Sequence, residues 1–122
     1  MGDSMEERLR RVLEAHGLVC GALIHASGEV SDRVGDFDAL AYGGVVSALL
    51  GPLGSPKTTF DWLEGQDLPR MSIQGEDFAI MDRPRPHLAV VVFGRSGAPV
   101  LERMRLSREV AKTIAAEFAP GL

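Results

Sequence analysis

Residues 39–56 contain no charged side chain, and this stretch constrains the fold more than any other part of the sequence. A charge-free run of this kind raises the possibility of a membrane span, which needs about 20 consecutive predominantly apolar residues. Four glycines and two prolines interrupt the run, so only residues 39–50 have the pattern of a helix. The stretch therefore predicts a short helix covered by protein on more than one side.

Length and composition place the chain among small globular proteins. Its 122 residues suffice for one domain with one core, and 45% are hydrophobic while 25% are charged. A net charge of −4 is too small for a disordered chain and has the wrong sign for a phosphate-binding surface. The single cysteine excludes an internal disulfide. The N-terminal residues do not resemble a signal peptide, and we expect a cytoplasmic protein without bound nucleic acid or a membrane span.

Apolar periodicity and turn signals predict the order helix, two strands, helix, three strands, helix. Ser4 and Glu7 form a capping box that begins the first helix, and Gly17 ends it. The strands are predicted at 18–25, 30–34, 71–73, 78–81 and 88–93, the middle helix at 39–50, and the last helix after Gly97-Ala98-Pro99. Residues 51–68 have no clear pattern. This order predicts an α/β (α+β) fold with one mixed five-stranded sheet covered by helices.

Several of these segments resemble the Roadblock domain family, of the dynein light chain type, which includes bacterial partners of small Ras-like GTPases. The residues that carry the resemblance are Val19-Cys20-Gly21-Ala22-Leu23-Ile24, the following turn Ser27-Gly28-Glu29-Val30, the 39–50 helix, and the 88–93 strand with the helix behind it. The resemblance covers about residues 5–118 and implies a single Roadblock-like domain over residues 1–122. The chain departs from the family after the last strand, where Gly97-Ala98-Pro99 replaces an Asn-x-Gly-like element.

The resemblance implies a specific architecture and a specific assembly. The sheet order would be second, first, fifth, fourth, third strand, with the middle helix on one face and the two terminal helices on the other. Two copies would form a homodimer by pairing their third strands edge to edge and their middle helices side by side. The implied function is a non-catalytic homodimeric scaffold or regulatory protein that binds and modulates a small Ras-like GTPase, without a cofactor.

The residues of the 39–50 helix independently favour a protein interface. No face of this helix is charged, whereas an ordinary surface helix has one apolar stripe and one polar face. Small residues recur at every fourth position, so that a second backbone could approach closely along that line. Together with the third strand, the predicted interface residues are Ala39, Tyr42, Gly43, Val46, Ser47, Leu49, Leu50, Arg70, Met71, Ser72, Ile73 and Gln74.

Motifs that would indicate catalysis or metal binding are weak. The segment from Gly51 to Thr58 is one residue away from a phosphate-binding loop, but Pro56 stands where that loop needs a glycine N–H. The three histidines have no metal-ligand spacing, and Cys20 lies in an apolar strand that suppresses thiol reactivity. We therefore predict no catalytic, metal or cofactor-binding residue and no enzymatic activity.

Two other classes of function remain as alternatives. The runner-up is a small-ligand-binding sensory domain, because a sheet with helices on both faces can enclose a pocket. Glycines at positions 17, 21 and 28 would leave room for such a ligand near the first hairpin. An enzyme is the least favoured class, since the sequence offers no convergent set of polar residues.

Overall fold

A computed structural model describes residues 4–40, 44–51 and 55–119 of the chain. Four α-helices and five strands follow one another in the described residues. In chain order they are α1 (Met5–His16), β1 (Cys20–His25), β2 (Val30–Gly35), α2 (Gly44–Leu50), α3 (Pro56–Trp62), β3 (Arg70–Gln74), β4 (Asp77–Arg85), β5 (Leu88–Arg95) and α4 (Val100–Phe118), with a 3₁₀ turn at Phe37–Ala39 before α2.

The ends of α1 form as the sequence predicts. The Ser4 side-chain oxygen accepts a hydrogen bond from the Glu7 backbone N–H at 3.1 Å, which satisfies one of the free donors of the first turn. Gly17 follows the last turn with a φ of 62°, the left-handed conformation that glycine adopts without steric cost. Both ends of the helix are therefore fixed by local residues.

The five strands form one sheet in the predicted order, β2-β1-β5-β4-β3. The prediction of a mixed sheet is wrong in one respect, because all four neighbouring pairs are antiparallel. Three of these pairs are hairpins, β1 with β2, β3 with β4, and β4 with β5, and a hairpin forces antiparallel directions. The remaining pair, β1 with β5, is antiparallel as well, and element order alone does not fix that direction.

Helices cover both faces of this sheet. The two terminal helices share one face, where Leu9, Val12 and Ile114 pack against Leu23 and Val90. On the other face lie α2 and α3, over strand residues that alternate with the first set, among them Cys20, Ala22, Val91 and Phe93. The predicted division of α2 from the terminal helices is confirmed, and α3 adds a second helix beside α2 in the stretch that had no clear pattern. In the described residues no helix is long and apolar enough to cross a bilayer.

The helix predicted at 39–50 is shorter than expected at its N-terminal end. The Asp36 side chain accepts a hydrogen bond from the Asp38 backbone N–H at 3.0 Å and closes a separate 3₁₀ turn, in which Ala39 lies. Leu40 then has extended dihedral angles of −83° and 140°, and its side chain is buried in the core. Ala39 is therefore outside α2, which is described from Gly44 onward.

Candidate protein interface

Strand β3 forms one edge of the sheet, with β4 as its neighbour. Gln74 and Asp77 flank a two-residue turn and are register partners, so they form a hydrogen-bonded pair. Since the backbone groups of an antiparallel strand alternate in direction, those of Arg70, Ser72 and Gln74 point toward β4. The N–H and C=O groups of Met71 and Ile73 point away from the sheet and form a free edge.

The side chains of β3 divide between the two faces of the sheet. Met71 and Ile73 lie on the α4 face, since they pair with the core residues Ile80 and Phe78. Ile73 remains 39% exposed, which is unusual for a large apolar residue in a strand. Natural sheets protect an exposed edge with charges, prolines or bulges, and the β3–β4 register is regular along its whole length. Within residues 4–40, 44–51 and 55–119, no other strand pairs with the outer side of β3.

Helix α2 lies over the same edge of the sheet, on the opposite face from α4, and packs against β3 and β4. Val45 is buried, and Val46 and Leu49 are partly buried against the core of this chain. Ser47 is partly buried and Ala48 is exposed, so these two residues form the outer side of the helix. Since α2 contains no charged residue, its outer side offers no electrostatic obstacle to a second helix.

The structure thus brings most of the predicted interface residues together at one edge. Tyr42 and Gly43 lie outside the described residues. Leu50 is only 6% exposed and contributes to the core. Val46 also packs against the core, so that a charge at this position would disturb the fold as well as an interface.

The predicted interface residues omit two side chains at this edge, one in α2 and one at the end of α3. Ala48 and Trp62 help to line a cleft of about 230 Å³ between α2 and α3. Trp62 is 42% exposed, and the Arg70 guanidinium lies over its ring at 5.3 Å from the ring centre. The only tryptophan of the chain was an available signal, but it falls within residues 51–68, where no element was predicted.

The candidate reactive groups are engaged in packing or in local contacts. Cys20 is buried, and its burial, together with the nearby Asp36 carboxylate, raises the pKa of the thiol from 9.0 to about 12. Lys57 in the near phosphate-binding segment is paired with Asp61 at 2.8 Å within α3. In the part of the chain that the structure describes, no group of three or more His, Cys, Asp or Glu residues could hold a metal ion.

Two of the three glycines on which the sensor hypothesis rests leave little room for a ligand. A Cβ at position 21 would lie 3.1 Å from the Leu9 and Val92 side chains. At Gly28 it would lie 2.8 Å from the Lys57 Cβ, because the first hairpin turn packs against α3. Gly17 faces open space and has a positive φ that its helix-ending role explains. Gly21 and Gly28 therefore give no support to a ligand site, whereas Gly17 lines a cleft of about 230 Å³ between α1 and β2, so the small-ligand hypothesis stays an alternative.

Comparison with known proteins gives structural matches only. No protein-family model matches the sequence, and no curated protein is similar enough to count as a match. The gliding protein MglB from Thermus thermophilus superposes with a TM-score of 0.56 at 17% identity, over 95% of this chain and 92% of that chain. MglC from Myxococcus xanthus gives a TM-score of 0.60 at 16% identity, over 92% and 97% of the two chains.

A third match is the Roadblock/LC7 domain from Streptomyces avermitilis, with a TM-score of 0.53 at 16% identity. It covers 93% of this chain and 100% of that domain. The matches thus extend over nearly the whole length of both partners, and the strand order agrees with the one that the sequence resemblance implied. The chain therefore has the Roadblock/LC7 fold.

Proposed function

We propose that this protein is a non-catalytic, homodimeric scaffold or regulator that binds a small Ras-like GTPase in the cytoplasm. The observation that carries the proposal is the open edge of β3 with the uncharged α2 lying over it. Such an edge promotes aggregation when it stays free, and pairing with a second copy removes it. The Roadblock/LC7 fold supports the same arrangement through the family resemblance.

The register of β3 suggests where the two-fold axis would lie. Ser72 is the central residue of the strand, so an axis beside it would pair Met71 of one copy with Ile73 of the other. Each of these two Met71–Ile73 pairs would form two hydrogen bonds between the copies. The bonds would use the backbone groups that point away from β4 within each copy. The same axis, perpendicular to the sheet, would place the two α2 helices side by side on one face.

The proposed GTPase partner rests on the family resemblance and on the shared fold. The absence of catalysis is supported by the environment of the reactive groups in the described residues. Cys20 is buried with a raised pKa, and His16 and His25 each contact a hydroxyl group, of Thr113 and Ser31, at 2.7 Å. None of these contacts places a base between a nucleophile and a group that orients it, as nucleophilic catalysis requires.

Light scattering tests the dimer. At micromolar concentrations the protein should have about twice the monomer mass of 13.1 kDa, without added ligand. A monomer over the whole concentration range would contradict the proposed assembly.

A second experiment tests the GTPase partner. Immobilised protein is incubated with native lysate in the presence of GDP or of a non-hydrolysable GTP analogue, and the retained proteins are identified by mass spectrometry. We expect one small Ras-like GTPase to be retained, in an amount that depends on the nucleotide. A dimer that retains no GTPase under either condition would refute the regulatory role and leave the assembly intact.

A further inference from the structure

A cavity of about 340 Å³ lies at the end of the sheet where β4 turns into β5, on the face that the two terminal helices cover. Met5 at the start of α1 packs against the core cluster of that face, and Leu88 belongs to the cluster. The lining combines three apolar residues with three residues that carry N–H groups, namely Met5, Pro86, Leu88, His25, Arg85 and His87. Its volume is within the range of small-molecule sites.

Arg85 is held in place by the end of α4. Its Nε donates a hydrogen bond at 2.6 Å to the backbone oxygen of Phe118, the last residue of that helix. No hydrogen bond or ion pair within the described ranges uses its two terminal nitrogens. Two guanidinium nitrogens match the two oxygens of a carboxylate. Because the fold already orients this guanidinium, it loses little freedom when it binds an anion.

The two histidines reach the cavity from neighbouring turns. His25 ends β1, and His87 lies in the two-residue turn between β4 and β5. The Ala26 backbone N–H donates to the His87 backbone oxygen at 3.1 Å and joins the two turns. The Ser31 hydroxyl donates to Asp32 Oδ2 at 2.9 Å, and its oxygen lies 2.7 Å from His25 Nε2. The His25 ring is therefore oriented by a side-chain contact as well as by its strand.

The lining is basic although the whole chain has a net charge of −4. Within the part of the chain that the structure describes, no carboxylate lines this cavity. The acidic residues closest along the chain to the lining residues are exposed or engaged with another group, and they are Glu6, Glu7, Glu29, Asp32 and Asp82. An anion is therefore complementary to the lining, and the apolar side chains favour an anion that also has a hydrocarbon part.

We propose that this cavity binds a small organic carboxylate with an apolar chain. The carboxylate would accept hydrogen bonds from the terminal nitrogens of Arg85 and from the His87 ring, and the chain would lie against Met5 and Leu88. An inorganic anion would leave the apolar side chains uncovered. A neutral apolar molecule would leave the Arg85 guanidinium without an anion.

This proposal goes beyond the proposed function and depends on different residues. The dimer would use β3 and α2, whereas the cavity is formed by the start of α1, the end of β1 and the β4–β5 turn. Light scattering on the same sample reports the assembly state, so failure of one proposal is distinguishable from failure of the other.

The probe is sodium hexanoate, with sodium chloride at the same ionic strength as the reference. In a titration followed by amide NMR shifts, we expect saturable changes at residues 5, 25 and 85–88 in the millimolar range. Hexan-1-ol has the same chain without the charge, and acetate has the charge without the chain, so each should bind at least tenfold more weakly. Equal binding of hexan-1-ol, or no saturable change at these residues, would overturn the proposal.

Two variants locate the contact. His87→Glu adds a carboxylate at an exposed position of the lining and should weaken hexanoate binding at least tenfold. Arg85→Gln removes the cation and should have a similar effect. Because Arg85→Gln also removes the contact with Phe118, urea unfolding reports whether the fold is intact, and His87→Glu tests the site if it is not.

The matched control is Ala15→Glu, which adds the same charge at an exposed position near the other end of α1. This variant should bind hexanoate as the unaltered protein does. Equal weakening by Ala15→Glu and His87→Glu would show a non-specific charge effect and overturn the proposal. Unchanged binding by a folded His87→Glu would overturn it as well.

Discussion

Replacing Ile73 by proline tests the proposed edge pairing with little change to the sheet within one copy. The Ile73 N–H points away from β4, so proline at this position removes no hydrogen bond of the β3–β4 ladder. Edge strands tolerate proline where the lost N–H faces outward. The substitution therefore removes a donor from the proposed dimer and spares the hairpin.

The expected effect follows from the symmetry of the contact. With the axis beside Ser72, each N–H of Ile73 would donate to the Met71 carbonyl of the other copy, so two of four intermolecular hydrogen bonds disappear. Leaving a buried acceptor without its donor costs about 1–3 kcal/mol, which gives about 4 kcal/mol for the two sites. Since 1.4 kcal/mol is a tenfold change, the dissociation constant should rise roughly a thousandfold.

Sedimentation equilibrium over a micromolar concentration series measures this change. The control is Ile73→Ala, which removes the same apolar side chain and keeps the N–H, so it should retain most of the dimer. Urea unfolding of both variants reports whether the monomer fold is intact. If Ile73→Pro folds normally and remains as tight a dimer as Ile73→Ala, the β3 edge is not the interface.

Three further predictions concern the helix surface, the thiol and an ion pair with a buried carboxylate. Ala48→Glu on the outer side of α2 should dissociate the proposed dimer in light scattering, because each copy would bring an unpaired carboxylate into the contact. Ala15→Glu, at an exposed position on α1, should leave the dimer intact, and equal behaviour of the two variants would exclude α2 from the interface. The free energy of unfolding should fall as pH rises from about 9 toward 12, by up to about 1.4 kcal/mol per pH unit, because the pKa of the Cys20 thiol is near 9.0 in the unfolded chain and about 12 in the folded one. In urea unfolding at pH 8 and 10, Cys20→Ala should lessen this loss. An unchanged loss would show that Cys20 is not its source. Arg95→Ala should lower the free energy of unfolding in urea by about 2 kcal/mol, because the buried Asp77 carboxylate loses the guanidinium that lies 2.7 Å away. A loss below about 0.5 kcal/mol would refute this role of Arg95.

Much of the fold could be predicted because its signals are local. Ser4 and Gly17 mark the ends of α1, and the apolar run before His25 marks a strand covered on both faces. The direction of β1 against β5 was not available from the sequence, since no turn joins these strands. The missed α3 begins at Ser55 and Pro56, a good N-cap and first residue, but its seven residues are too few for a clear helical period.

The candidate interface could be predicted less completely from the sequence, because exposure depends on which elements pack together. The uncharged composition of α2 is visible in the sequence, but the side that faces the core is not. Val46 lies toward the core and Ala48 away from it because of where α2 crosses β3 and β4. Likewise, only the packing shows what the two arginines near the end of β4 contact. Arg83 lies over the Phe60 ring at 4.6 Å, and Arg85 donates to the Phe118 backbone oxygen at 2.6 Å.

The position of β3 determines what the proposed dimer would bury. Its backbone edge would pair with a second copy, and its Met71 and Ile73 side chains lie on the α4 face beside that edge. A two-fold axis perpendicular to the sheet keeps equivalent faces on the same side, so Ile73 of one copy would lie beside Met71 of the other on the α4 face. Edge pairing would therefore cover part of the Ile73 side chain, which is 39% exposed in one copy.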